Sequence, residues 1–138
     1  MGKITVYTKG VSQGDPGPAT IGAYIVDEKN NVVKEVSENI GNATDNFAEY
    51  MAVLRGLQTV VDLYKEKAKD IEFEFKLSSE FVKKQLVGDS PIIDPGLVPY
   101  FIEIHNMQIT NALTVTYTLV SKKKNIEANR LVKEAVNI

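Results

Sequence analysis

The chain has 138 residues, 43% of them apolar, and sets 16 Lys plus Arg against 18 Asp plus Glu for a net charge of −2. That length and apolar share suffice for one self-closing core and predict a single domain over residues 1–138. The absence of cysteine excludes disulfides and thiolate metal sites and fits a reducing, cytoplasmic location, the acidic balance excludes an evenly basic nucleic-acid surface, and no run is apolar for long enough to predict a membrane span.

In chain order, Ile4 to Thr8, Thr20 to Val26 and Val32 to Ile40 read as strands, parted by the turn formers Gly14-Asp15-Pro16-Gly17-Pro18 and Asn30-Asn31. Links this short make the three strands antiparallel neighbours. From Asn46 to about Tyr64, Phe47, Met51, Leu54, Leu57, Val61 and Tyr64 recur at helical spacing with no proline among them, and Thr44 or Asp45 can cap the start. Ile71, Phe73, Phe75 and Leu77 then alternate with Glu72, Glu74 and Lys76, the mark of a strand buried on one face.

A short helix follows over Ser79 to Leu86, an interruption over Gly88 to Gly96 with Pro91 and Pro95, and a second helix over about Leu97 to Thr110. Thr114 to Val120 alternates again, and a last helix spans about Ile126 to Val136. The order βββαβααβα predicts an α/β fold: a five-stranded mixed sheet, three strands antiparallel and two parallel, with helices on its faces. The one cationic run, Lys122-Lys123-Lys124, falls between the last strand and last helix and reads as a solvated loop.

Four segments at collinear spacing carry a resemblance. They are Val6-Tyr7-Thr8-Lys9-Gly10 with the glycine-proline turn after it, Asn46-Phe47-Ala48-Glu49-Tyr50, Leu77-Ser78-Ser79-Glu80-Phe81-Val82, and Glu127-Ala128-Asn129-Arg130-Leu131. In this order they resemble the type 1 ribonuclease H family of the ribonuclease H-like superfamily. The resemblance implies the ribonuclease H-like fold and a centre where four carboxylates hold two Mg²⁺ or Mn²⁺ ions about the scissile phosphate.

Carried onto this sequence, the four positions are Lys9, Glu49, Ser78 and Asn129, so only one carboxylate is kept. The histidine that active relatives often carry after the last strand falls near Leu119, and His105, the only histidine, sits earlier, where a helix-surface or interface role is expected. Asp15, Asp45, Glu80 and Glu127 flank the four positions as candidate substitutes, with turn or cap chemistry the plainer expectation. The expectation is therefore a catalytically inactive protein without a metal cofactor, in which Lys9 pairs with Glu49.

What can survive is binding. Gly14, Asp15, Gly17, Asn46 and Ser79 match positions at which active relatives meet the nucleic acid, implying at most weak binding of an RNA/DNA hybrid or single strand. A protein partner is an equal expectation, and metal-dependent cleavage of the RNA strand of a hybrid through an altered site is the alternative.

Overall fold

A computed structural model describes residues 2–136. Strands β1 (Gly2–Ser12), β2 (Gly17–Val26) and β3 (Val32–Ala43) lead into helix α1 (Asp45–Tyr64), followed by β4 (Ile71–Leu77), α2 (Glu80–Leu86), α3 (Val98–Thr110), β5 (Thr114–Leu119) and α4 (Ile126–Ala135). The sheet order is β3-β2-β1-β4-β5. β1 pairs antiparallel with β2, β2 antiparallel with β3, and β4 runs parallel to both β1 and β5. The expected architecture and strand directions are thus present.

The helices lie where the sequence periodicity puts them, to within a residue or two. Thr44 caps α1 by accepting from Phe47 N at 3.2 Å, and Ser79, read as the first residue of α2, is instead its cap, accepting from Val82 N at 3.1 Å. The strand ends differ more. β1 was expected to stop at Thr8 but continues to Ser12, because every residue from Thr5 to Ser12 has a partner on β2, out to Ser12 opposite Ala19. β3 likewise passes Ile40 to Ala43, with a bulge opposite Ala19 and Thr20.

Each face of the sheet is closed by a helix seated on a glycine. A Cβ on Gly10 would lie 2.2 Å from the Ala48 carbonyl of α1, and one on Gly22 would lie 2.8 Å from the Ala128 carbonyl of α4. The α1 face holds the main core, in which Val6, Phe73, Phe75 and Leu77 of the strands meet Val53, Leu57 and Val60 of α1. Burying apolar area of this kind, at about 25 cal/mol per Å², is what keeps the sheet and helices together. Below α1, the buried Tyr50 hydroxyl donates to Gln85 Oε1 at 2.6 Å, tying α2 to the core, and burial pushes that phenol up to about 12.

Candidate functional site

The site lies where the strands end unevenly. β4's last partner on β1 is Tyr7, opposite Lys76, so β1 runs on past it with that side open. Glu49, one turn into α1, fills the gap: its Oε1 accepts from Gly10 N at 2.6 Å. Its Oε2 lies 4.0 Å from Lys9 Nζ, with both side chains largely buried. The pairing of Lys9 with Glu49 expected from the sequence is present as a long ion pair.

Burial is the largest influence on the Glu49 carboxyl and pushes its pKa above the ordinary value, against the opposing pull of Lys9, the Gly10 N–H and Lys122. The carboxylate of Asp45 adds to the upward push. Asp45 is itself held: its Oδ1 accepts from Ser12 N at 2.7 Å, fastening the start of α1 to the end of β1.

Around this pair opens a cleft of about 280 Å³, whose lining includes Lys9, Asn46, Glu49, Ser78, Ser79 and Lys122. Six of the residues singled out in the sequence, Lys9, Asp45, Asn46, Glu49, Ser78 and Ser79, are therefore brought together. Asn129 is not among the lining residues. It borders a neighbouring cleft with Lys122, Lys123, Arg130 and Lys133, and its Nδ2 donates to the Lys122 carbonyl at 3.0 Å.

Gly14, Asp15 and Gly17 also stay outside the cleft, the first two in the tight turn between β1 and β2 and Gly17 at the first position of β2. There Gln13 N donates to the Pro18 carbonyl at 2.8 Å, the Ser12 hydroxyl meets the Gly14 carbonyl, and Gly17 packs so closely on Gly14 that a Cβ would lie 2.6 Å from its nitrogen. Among the described residues, no three His, Asp or Glu side chains gather in a way that could hold a metal ion.

His105 is half-buried away from the cleft, with Nδ1 2.9 Å from the Phe101 carbonyl and Nε2 3.1 Å from the Leu86 carbonyl, joining α3 to the end of α2. Of the flanking acids, Glu127 is engaged by Arg130 at 2.8 Å and Glu80 by Lys84 at 3.4 Å. Arg130 also meets Glu35 at 2.6 Å and Glu134 at 2.8 Å.

Two residues of the site escaped the sequence reading. Asn125, fully buried, donates from Nδ2 to the Thr8 carbonyl at 2.9 Å and to Ser78 Oγ at 3.2 Å, so one amide joins β1, the end of β4 and the start of α4. Lys122, read as part of a solvated loop, is exposed in a single 3₁₀ turn, yet it borders the cleft. Asn125 gives no periodic signal because it stands just before the amphipathic helix; its only sequence cue is an asparagine at a helix start.

Comparison with known proteins places this geometry in context. The family model described as "Reverse transcriptase-like" matches residues 7–135. Ribonuclease HI of Halobacterium salinarum is 31% identical over 136 residues, covering 99% of this chain and 65% of its own length. The chain thus spans just under two thirds of that relative, and 36% of the mycobacterial proteins it also matches. Among solved structures, LC11-RNase H1, isolated from compost by a metagenomic approach, superposes with a TM-score of 0.93 at 36% identity, covering 99% of this chain and 97% of that one. LC11-RNase H1 in complex with an RNA/DNA hybrid gives a TM-score of 0.92 at 35% identity, covering 97% and 96%.

Proposed function

The chain belongs to the reverse transcriptase-like family, with a ribonuclease H-like fold, and from that premise we propose that it is a non-hydrolysing member that binds an RNA/DNA hybrid at the cleft around Lys9 and Glu49. The observation that carries the reading is the ion pair itself, an ammonium group 4.0 Å from the buried carboxylate. The hybrid is favoured as ligand because LC11-RNase H1, so similar in fold, has been solved with one.

The donor set does not suit the metal pair that the family resemblance implies. Hard divalent ions take oxygen ligands in near-octahedral geometry, and two of them roughly 4 Å apart repel unless several carboxylates neutralise them. Here the cleft offers the carboxylates of Glu49 and Asp45, each already taken up by a backbone N–H, the Ser78 hydroxyl and the Lys9 and Lys122 ammonium groups, while the Asn129 amide is turned to a backbone carbonyl. A fixed cation at this range opposes an incoming ion by several kcal/mol at an effective dielectric of ~20. Hydrolysis through two metals therefore has no route, and binding is what the residues support.

A labelled RNA/DNA hybrid incubated with the purified protein and Mg²⁺ or Mn²⁺ is expected to stay intact while its mobility shifts in a salt-dependent way. Cleavage that disappears in Glu49→Gln would overturn the reading and restore a ribonuclease with an altered metal site. A protein partner is the second reading, favoured by Val98, Ile102 and Ile109, which expose an apolar stripe along α3, Ile109 at 77%. An intact but unshifted hybrid would favour it.

A further inference from the structure

Ser78 and Asn129, two of the four positions that the family resemblance singles out, have a common task in this structure: both fasten the turn that carries Lys122. Ser78 Oγ accepts from Asn125 Nδ2 at one end of the turn, and Asn129 Nδ2 donates to the Lys122 carbonyl within it. The backbone closes the same loop, with Asn125 N donating to the Ser121 carbonyl at 3.2 Å and Asn129 N to the Asn125 carbonyl at 3.1 Å. An aspartate at position 129 has no N–H to give to Lys122, so the asparagine is what this turn requires. Lys122 thus borders the same cleft as Lys9 from a held backbone.

The acids of the cleft are turned onto backbone donors. Glu49 Oε1 takes the Gly10 N–H and Asp45 Oδ1 takes the Ser12 N–H, which spreads their charge into hydrogen bonds within the protein. The two ammonium groups have no such sink. Lys122 has no ion-pair partner within 4.0 Å among the described residues, and Lys9 has only the long contact to Glu49. The space between is about 280 Å³, edged by the Ser79 hydroxyl and the Asn46 amide. Two cations with hydroxyl and amide donors beside them form a receptor for a tetrahedral anion.

We infer that this cleft is a metal-free phosphodiester site in which the Lys9 and Lys122 ammonium groups grip one phosphate of a bound strand directly. Ser79 and Asn46 donate from the wall. Asn125, Asn129 and Ser78 are positioning residues that hold the Lys122 turn. The inference rests on the nucleic-acid reading above and deepens it by naming what the cleft grips and how.

The test is hybrid affinity as a function of KCl in EDTA, using the full chain. Each ammonium–phosphate contact contributes about 0.9 to the slope of log K against log salt. Lys122→Gln and Lys9→Gln are each expected to flatten the slope by about one, and the double variant by about two. Lys67→Gln, beyond the far end of α1, is expected to leave it alone. Millimolar Mg²⁺ should weaken binding, as competing salt does.

Asn129→Ala should flatten the slope in the native background but add nothing once Lys122→Gln is present, a coupling that general loosening of the fold would not produce. Lys122 is exposed, so its variant keeps the test open even if Lys9→Gln unfolds. Binding whose slope is unchanged in Lys122→Gln, or which Mg²⁺ strengthens, overturns the site and leaves the nucleic-acid reading standing. If the native protein binds no hybrid, that reading falls, and titration with inorganic phosphate decides the site: NMR shifts at the Gly10 and Ser79 amides retain it as a phosphate receptor, and their absence overturns it too.

Discussion

Glu49 sits under opposing influences. Its burial raises the carboxyl pKa, while Lys9, placed 4.0 Å away, pulls it back down. Removing that pull in Lys9→Ala should raise the pKa further, read by carbon-13 NMR titration of the side-chain carboxyl; an unmoved titration would show that the pair is not an energetic one. The sign for stability follows from linkage. Because the folded state holds this proton more tightly than the unfolded chain does, stability falls as pH rises from the ordinary glutamate value, about 4.3, through the raised folded value. Below that window both states are protonated and the effect is flat. Glu49→Gln abolishes this contribution, so its stability relative to the native protein should improve as pH rises through the window, measured by urea unfolding at several pH values. A constant difference would refute the raised pKa.

At the level of elements, α4 depends on a missing side chain. Gly22 lets it approach until an added Cβ would lie 2.8 Å from both the Ala128 carbonyl and Leu131 Cβ, and Thr20 and Ser37 then reach the Val132 and Leu131 carbonyls at 3.0 and 2.6 Å. Gly22→Ala meets backbone that cannot swing aside, so α4 must lift, at a cost of about 1–3 kcal/mol. The loss is measurable in urea, and because the Lys122 turn leads into α4, hybrid affinity should fall with it. A variant as stable as the native protein would mean that α4 is not seated as described.

The same elements show which features the sequence carries. β4 is legible because one face meets α1 while the other keeps Glu72, Glu74 and Lys76, so burial writes a period of two into the residues. The far end of β1 is not, since Lys9 to Ser12 are held by pairing with β2, and backbone hydrogen bonds leave no mark in side-chain type. The Lys9–Glu49 pair was readable only through the family resemblance. Asn125 was hidden for a further reason: its Nδ2 contacts reach Thr8 and Ser78, far away in sequence, and a buried amide that donates only at long range has no local pattern.

For the molecule as a whole, scaffold and chemistry are separable. The backbone superposes on LC11-RNase H1 with a TM-score of 0.93 although Lys9, Ser78 and Asn129 stand at three of the four positions that the family resemblance marks for carboxylates. A fold retained that closely should accept the acids back. In the triple variant Lys9→Asp, Ser78→Asp, Asn129→Asp, the new carboxylate at 129 is repelled by the Lys122 carbonyl that the asparagine now engages, which turns it from its present partner. Crowding it with Glu49 and the other two acids costs stability when no metal is present, since like charges at short range repel. Mg²⁺ or Mn²⁺ should then restore what was lost: an ion that binds only the folded state stabilises by about 2.7 kcal/mol at a hundredfold excess over its Kd. The expected outcome is a thermal midpoint that climbs with metal in the triple variant and stays level in the native protein. A variant that folds but ignores both metals would mean that the four positions do not converge closely enough to form a metal centre.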